Sequence, residues 1–179
     1  MLRKLRVFRT WVPFFLCAAF LLAAVAQDES LEDFKYKEDY DRIQSILKTA
    51  DVVKRSERMV TLYGERKDMD TKLRDYADNI FAKDMESLMK LNNNIALRGI
   101  CERALKVRPR FGEAYLFYGV ALKRDKKIDE ALKAFARAYA IDNPLKAKAK
   151  QQLDITYRAT GGSLSGQDKL VKDAMKDLK

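Results

Sequence analysis

The stretch "YGVALKRDKKIDEALKAFARAYAIDNP", Tyr118 to Pro144, sets small residues among large ones in a fixed order. Gly119, Ala131 and Ala138 are small, while Tyr118, Leu122, Phe135 and Tyr139 are bulky. Apolar residues fall at three- and four-residue steps on both sides of the charged "KRDKKID". That spacing predicts two amphipathic helices, 113–124 and 129–141, joined by a short turn and therefore antiparallel. A small residue lets two helix axes approach, and a large one fills the gap it faces. Gly119 and Ala131 are thus expected where the two helices of this hairpin meet, and Ala138 where a following hairpin packs. Gly119→Leu or Ala131→Leu is expected to force the helices apart, and overpacking of this kind costs about 1–3 kcal/mol.

The same pattern extends outward. Helices are predicted at 38–49, 51–64, 69–91, 95–107, 145–159 and 166–178, which with the first pair makes eight. Asp51 suits the N-cap of the second, accepting from backbone N–H groups that have no helical partner. Asn143-Pro144 suits a helix end followed by a helix start. Ser165-Gly166-Gln167-Asp168 resembles a capping box. No Asn-Gly or Asp-Gly pair and no long alternating apolar run argues for strands, so the fold class is all-α.

Positions 34 apart match in character. Phe81 aligns with Tyr115, Leu88 with Leu122, Leu97 with Ala131, Cys101 with Phe135 and Ala104 with Ala138. A fixed period of this length marks a helical array whose hairpins bury their apolar faces only by stacking. The unit from Phe111 to Pro144 resembles the tetratricopeptide repeat. Tyr115, Gly119, Leu122, Ala131, Phe135 and Ala138 carry the resemblance. The preceding unit matches in part, with Ala104 and Pro109 in place but Asp84 and Met85 where an apolar and a small residue are expected. Residues 78–144 hold the repeats and 111–144 the best match. Residues 38–77 supply N-terminal helices, and 145–179 a degenerate repeat that caps the array. The resemblance implies antiparallel hairpins stacked as a short right-handed solenoid that binds a protein or peptide.

In that family the first helix of each unit lines the concave face. Carried onto this chain, the ligand-facing positions are Glu113, Leu116, Val120, Lys123 and Arg124. The family's clamp for C-terminal carboxylates uses Lys and Asn where this chain has Leu116 and Val120, so binding of chaperone tails is not implied. The remaining readings are an apolar groove with a basic rim, or a face covered by neighbouring helices because the array is short.

The N-terminus has a different grammar. Arg3, Lys4, Arg6 and Arg9 precede an uncharged run of 16 residues, Trp11 to Ala26, that ends in Ala24-Val25-Ala26. A basic head, an apolar middle and small residues before a polar stretch make a secretory signal peptide. The run is shorter than the ~20 residues of a spanning helix. Cleavage after Ala26 is expected, with residues 27–37 a polar tail and the product periplasmic or secreted in a bacterial type of envelope. Bulky Phe14-Phe15-Leu16 before Cys17 do not suit a lipid-modified cysteine.

Without residues 1–26 the net charge falls from +10 to +6, and Cys101 is the remaining cysteine. Charge is uneven: Arg98 to Lys150 hold 14 bases and 6 acids. A solvated helix face accounts for most such runs. The functional alternative is a basic envelope protein that meets an anionic membrane or polymer. Nucleic acid fits an exported chain poorly.

The chain has no histidine, which removes the commonest general base and metal ligand. Cys101 lies on an apolar helix stripe and reads as a small core residue. No phosphate loop, dinucleotide fingerprint or metal-ligand spacing occurs. No catalytic residue, cofactor or metal is assigned, and the expectation is a non-enzyme.

Overall fold

A computed structural model describes residues 36–161 and 163–178. Residues 1–26, expected to be a signal peptide, and residues 27–35 of the expected tail lie outside the described residues. Tyr36 and Lys37, also assigned to the tail, are already helical. The described chain is all-helical, with eight helices. They are α1 (36–47), α2 (Val52–Glu65), α3 (Thr71–Lys90), α4 (Asn94–Val107), α5 (Gly112–Arg124), α6 (Ile128–Ala140), α7 (Lys146–Ala159) and α8 (Leu164–Asp177). Residues 1–42 and 43–179 form two compact units. In the first, the described part is the opening of α1. The rest of the description concerns the second.

Local chemistry starts the helices. Asp51 accepts from the backbone N–H of Lys54 at 2.9 Å, Asp70 from Lys72 at 2.8 Å and Asn93 from Ala96 at 3.2 Å. Each satisfies a donor that the helix itself leaves free. At α8 the cap is Ser163 rather than Ser165: its Oγ accepts from the N–H of Gly166 at 3.3 Å. The helix therefore begins before the stretch that resembled a capping box.

Two helices end in the same way, 34 residues apart. Asn92 after α3 and Lys126 after α5 are the non-glycine residues with positive φ, at 56° and 61°. In each turn the next N–H reaches back to the carbonyl of a helical leucine, Asn93 to Leu88 at 3.0 Å and Lys127 to Leu122 at 2.9 Å. This left-handed closure satisfies carbonyls at the helix end. The repeat is thus written in the backbone as well as in side chains.

Each helix of the second unit packs on near neighbours in the chain, with further contacts at second neighbours: α2 on α4, α3 on α5, α5 on α7 and α6 on α8. Helix α5 lies at the centre, and nine of its thirteen residues are buried. A helix apolar on all sides is one enclosed on all sides. Ala114, Phe117 and Ala121 join the core formed with α1–α4, while Tyr115, Leu116 and Leu122 join the core formed with α6–α8.

The α5–α6 contact has the expected form. A Cβ built on Gly119 would stand 2.6 Å from Cδ1 and Cε1 of Phe135, so the ring occupies the space that glycine leaves. Ala131 and Ala138 are fully buried. At the equivalent place in the preceding hairpin the sizes are exchanged. Met85 stands where Gly119 stands, Cys101 where Phe135 stands, and their sulfurs are 3.7 Å apart. The departure at Met85 is therefore compensated by a small partner. Asp84, the other departure, is buried and held by Arg55 of α2, whose Nε donates to its two oxygens at 3.0 and 2.8 Å. Arg55 Nη1 also donates to the carbonyl of Thr49 at 3.0 Å.

Asn143 closes the α6–α7 turn. Its Nδ2 donates to the carbonyls of Ala138 and Ile141 at 2.8 Å each, and its Oδ1 accepts from the N–H of Leu145 at 2.9 Å. Gly112 lets this side chain sit against the start of α5: a Cβ there would lie 2.4 Å from Nδ2. Pro144 falls in the turn, before the first residue of α7.

Candidate functional site

The five residues assigned to a concave face do not form one open surface. Glu113 and Leu116 are buried, Val120 and Lys123 are half-buried, and Arg124 is exposed. Leu116, at 1% exposure, packs into the core with α6 and α7 and is unavailable to a partner in this conformation. Lys148 of α7 donates to Glu86 of α3 at 2.8 Å, and its Nζ lies 6.0 Å from the centroid of the Phe117 ring. The pair joins the helices that flank α5 and lowers the pKa of Glu86 through the lysine hydrogen bond. What stays accessible at the C-terminal end of α5 is Val120, Lys123 and Arg124, and Arg124 there donates from Nη2 to the carbonyl of Met89 at 3.1 Å.

The basic block is largely matched by acids. Arg103 pairs with Glu57 at 2.8 Å, Arg137 with Asp177 at 2.8 Å and Lys150 with Asp154 at 2.8 Å. Arg98 pairs with Asp125, and Lys127 faces Glu130 at 3.5 Å. Exposed pairs of this kind contribute little to stability, but they remove most of the block as a continuous cationic surface. Charge count along the block could not show the pairs of Arg98, Arg103 and Arg137, because their acids come from distant stretches of the chain, whereas Lys127–Glu130 and Lys150–Asp154 are local.

A polar cluster not anticipated from the sequence lies where α2, α3 and the α4–α5 loop meet. Arg108 lies 4.6 Å from the ring centroid of Tyr63 and 4.2 Å from that of Phe111. Its Nη2 donates to Asp78 at 3.0 Å. Phe81 completes the aromatic group, 5.0 Å from Phe111 between centroids. Burial, reinforced by Asp78, pushes the Tyr63 hydroxyl well above its usual range. Burial raises Glu113 as well, with Asp78 adding to the effect and Arg108 opposing it. With Tyr63, Phe111 and Glu113 each under a tenth exposed, the group acts as a pin between helices rather than a place for substrate. The signal for it was the "RPRF" run, Arg108 to Phe111, in which a base and an aromatic share one loop. Cys101 is enclosed, and burial pushes its thiol far up, so no thiolate is at hand for nucleophilic chemistry.

Among the described residues, clefts open on the surface. One, of ≈ 470 Å³ between α2 and α4, has Val60, Gly64 and Val107 as its apolar floor, with Thr61 and the Glu57–Arg103 pair at its rim. Another, of ≈ 380 Å³, lies against α6, α7 and α8 and mixes Leu132, Tyr157 and Leu170 with Asp129, Lys133 and Lys169. No helix among the described residues is long and apolar enough to cross a membrane. Comparison with protein-family models, with curated proteins and with solved structures found no match.

Proposed function

We propose that the chain is an exported, tetratricopeptide-like interaction module, a scaffold or adaptor that binds a peptide or another protein and performs no catalysis. The observation that carries this reading is the recurrence, in 34-residue register, of one hairpin contact and one left-handed turn. Stacked helical hairpins build extended surfaces suited to binding. The apolar floor of the α2–α4 cleft gives a peptide side chain a place to enter, and its mixed-charge rim gives it orientation. The open end of α5, at Val120 and Lys123, is the second contact surface. The basic, then apolar, then small-residue pattern of residues 1–26 supports export.

The test is affinity capture from the cell envelope with the parent chain, Thr61→Arg and Val120→Arg. Thr61→Arg fills the α2–α4 cleft from its exposed rim, and Val120→Arg blocks the end of α5. A partner held by the parent and lost with either variant is expected. Equal capture by all three chains, or capture of nothing specific, would overturn the reading. N-terminal sequencing of the recovered chain should begin at Gln27.

A further inference from the structure

The two repeat turns lie side by side and form one edge. Arg124 reaches Met89 across it, and Asn94 Nδ2 donates to the carbonyl of Ala121 at 3.2 Å and to Asp125 at 2.6 Å. On this edge stand the two most exposed large apolar residues described, Leu91 at 70% and Ile95 at 83%. Beside them are Lys123, Arg124 and Lys126. Asp125 is engaged by Asn94 and Arg98 and Glu130 by Lys127, while Asp129 is an exposed acid at the start of α6, lining the cleft against α8. The edge is therefore apolar at its tip and cationic around it. A helix C-terminus favours bases, which accounts for Lys123 and Arg124. It does not account for Lys126 beyond the helix end, nor for Leu91 and Ile95 in water.

We infer that this edge docks on the surface of a bilayer containing anionic lipid. Leu91 and Ile95 enter the headgroup layer while Lys123, Arg124 and Lys126 meet lipid phosphates. Partition of apolar side chains and attraction of bases to an anionic leaflet are the two contributions that hold peripheral proteins there. An anionic polymer would satisfy the bases and gain nothing from the leucine and isoleucine. The inference does not rest on the interaction-module reading, and it narrows the basic block to one short edge.

The experiment uses the chain in the processed form recovered from cells. It is sedimented with phosphatidylcholine vesicles that contain, or lack, phosphatidylglycerol. Binding is expected with phosphatidylglycerol and should fall as salt rises. Lys123→Gln with Arg124→Gln and Lys126→Gln should weaken it roughly a hundredfold, and Leu91→Ser with Ile95→Ser about tenfold or more. Thermal unfolding of each variant checks that the fold survives. With the natural tryptophan removed by Trp11→Phe, Ile95→Trp reads the edge directly, whatever residues 1–26 do: its emission should shift to the blue and be quenched by brominated lipid on anionic vesicles. Unquenched emission would overturn the inference. So would full binding by the Leu91/Ile95 variant, which indicates a purely electrostatic surface, or a protein partner lost with that variant while the parent ignores vesicles.

Discussion

Phe135 fills the volume that a side chain on Gly119 would occupy: Cδ1 and Cε1 of the ring lie 2.6 Å from the Cβ position of the glycine. One hairpin earlier, Met85 and Cys101 fill the same contact with the large residue on the opposite helix. Gly119→Ala should therefore destabilise by about 1–3 kcal/mol, since the ring is hemmed in by a close-packed core. Transplanting the neighbouring solution, Gly119→Met with Phe135→Cys, should cost clearly less than the sum of its two single changes. Denaturant melts of the four chains give the coupling, expected at about 0.5–3 kcal/mol. Simple additivity would mean that the two contacts are not equivalent.

Arg55 neutralises a carboxylate that is 2% exposed, Asp84. Arg55→Ala leaves that charge buried without its partner and should cost about 3–5 kcal/mol. Replacing both members with apolar residues, Arg55→Met with Asp84→Leu, should recover most of the loss in a urea melt. A double variant as unstable as the single one would place the value of Arg55 in its bond to Thr49 instead.

Lys126 holds a left-handed backbone at φ 61°, as Asn92 does at 56°. A residue with a Cβ pays about 1–2 kcal/mol for that conformation, and asparagine tolerates it better. Lys126→Gly should raise the urea midpoint by the equivalent of about 1 kcal/mol, and Asn92→Gly should gain less. Equal or reversed effects would argue against the closure shared by the two turns.

Glu113 has its pKa raised by burial. An acid that holds its proton more tightly when folded binds more protons in the native state, so its contribution to stability declines as pH rises through that range. Glu113→Gln removes the ionisation. It should be more stable than the parent at neutral pH, and the difference should shrink as pH falls through the raised pKa of Glu113 towards the ordinary glutamate value, below which it stays constant. Melting temperatures of both chains across pH 4–8 decide it; a gap independent of pH would exclude ionisation as the cause.

Asn143 makes three hydrogen bonds in the α6–α7 turn and fills the space above Gly112. Asn143→Ala should cost about 1–3 kcal/mol, because buried backbone groups lose their partners. Gly112→Ala alone should also destabilise, yet its additional cost should be small once Asn143 is truncated. A thermal-melt cycle with those four chains shows whether the two residues compete for one space.

The helices, their caps at Asp51 and their 34-residue register were legible in the sequence, because helix periodicity and capping are local. The place of Gly119 and Ala131 at the hairpin contact was legible for the same reason: residues within one hairpin are brought together by a single turn. That Phe135 fills the space beside Gly119 is a finding of the packing. The buried Asp84 was visible as a departure from the repeat, but its partner Arg55 lies 29 residues away, and nothing local points to it.

The candidate binding face was decided elsewhere. Leu116 and Val120 are equally apolar on paper, yet Leu116 is sealed in the core built with α6–α8 while Val120 is half-open at its edge. Likewise the run of bases from Arg98 to Lys150 is fixed by sequence, while its pairing with acids on α2, α3 and α8 is a matter of how the hairpins stack. Periodicity determined what this chain folds from. Tertiary packing alone decided which apolar and basic groups remain at the surface, since burial and charge pairing depend on neighbours in space.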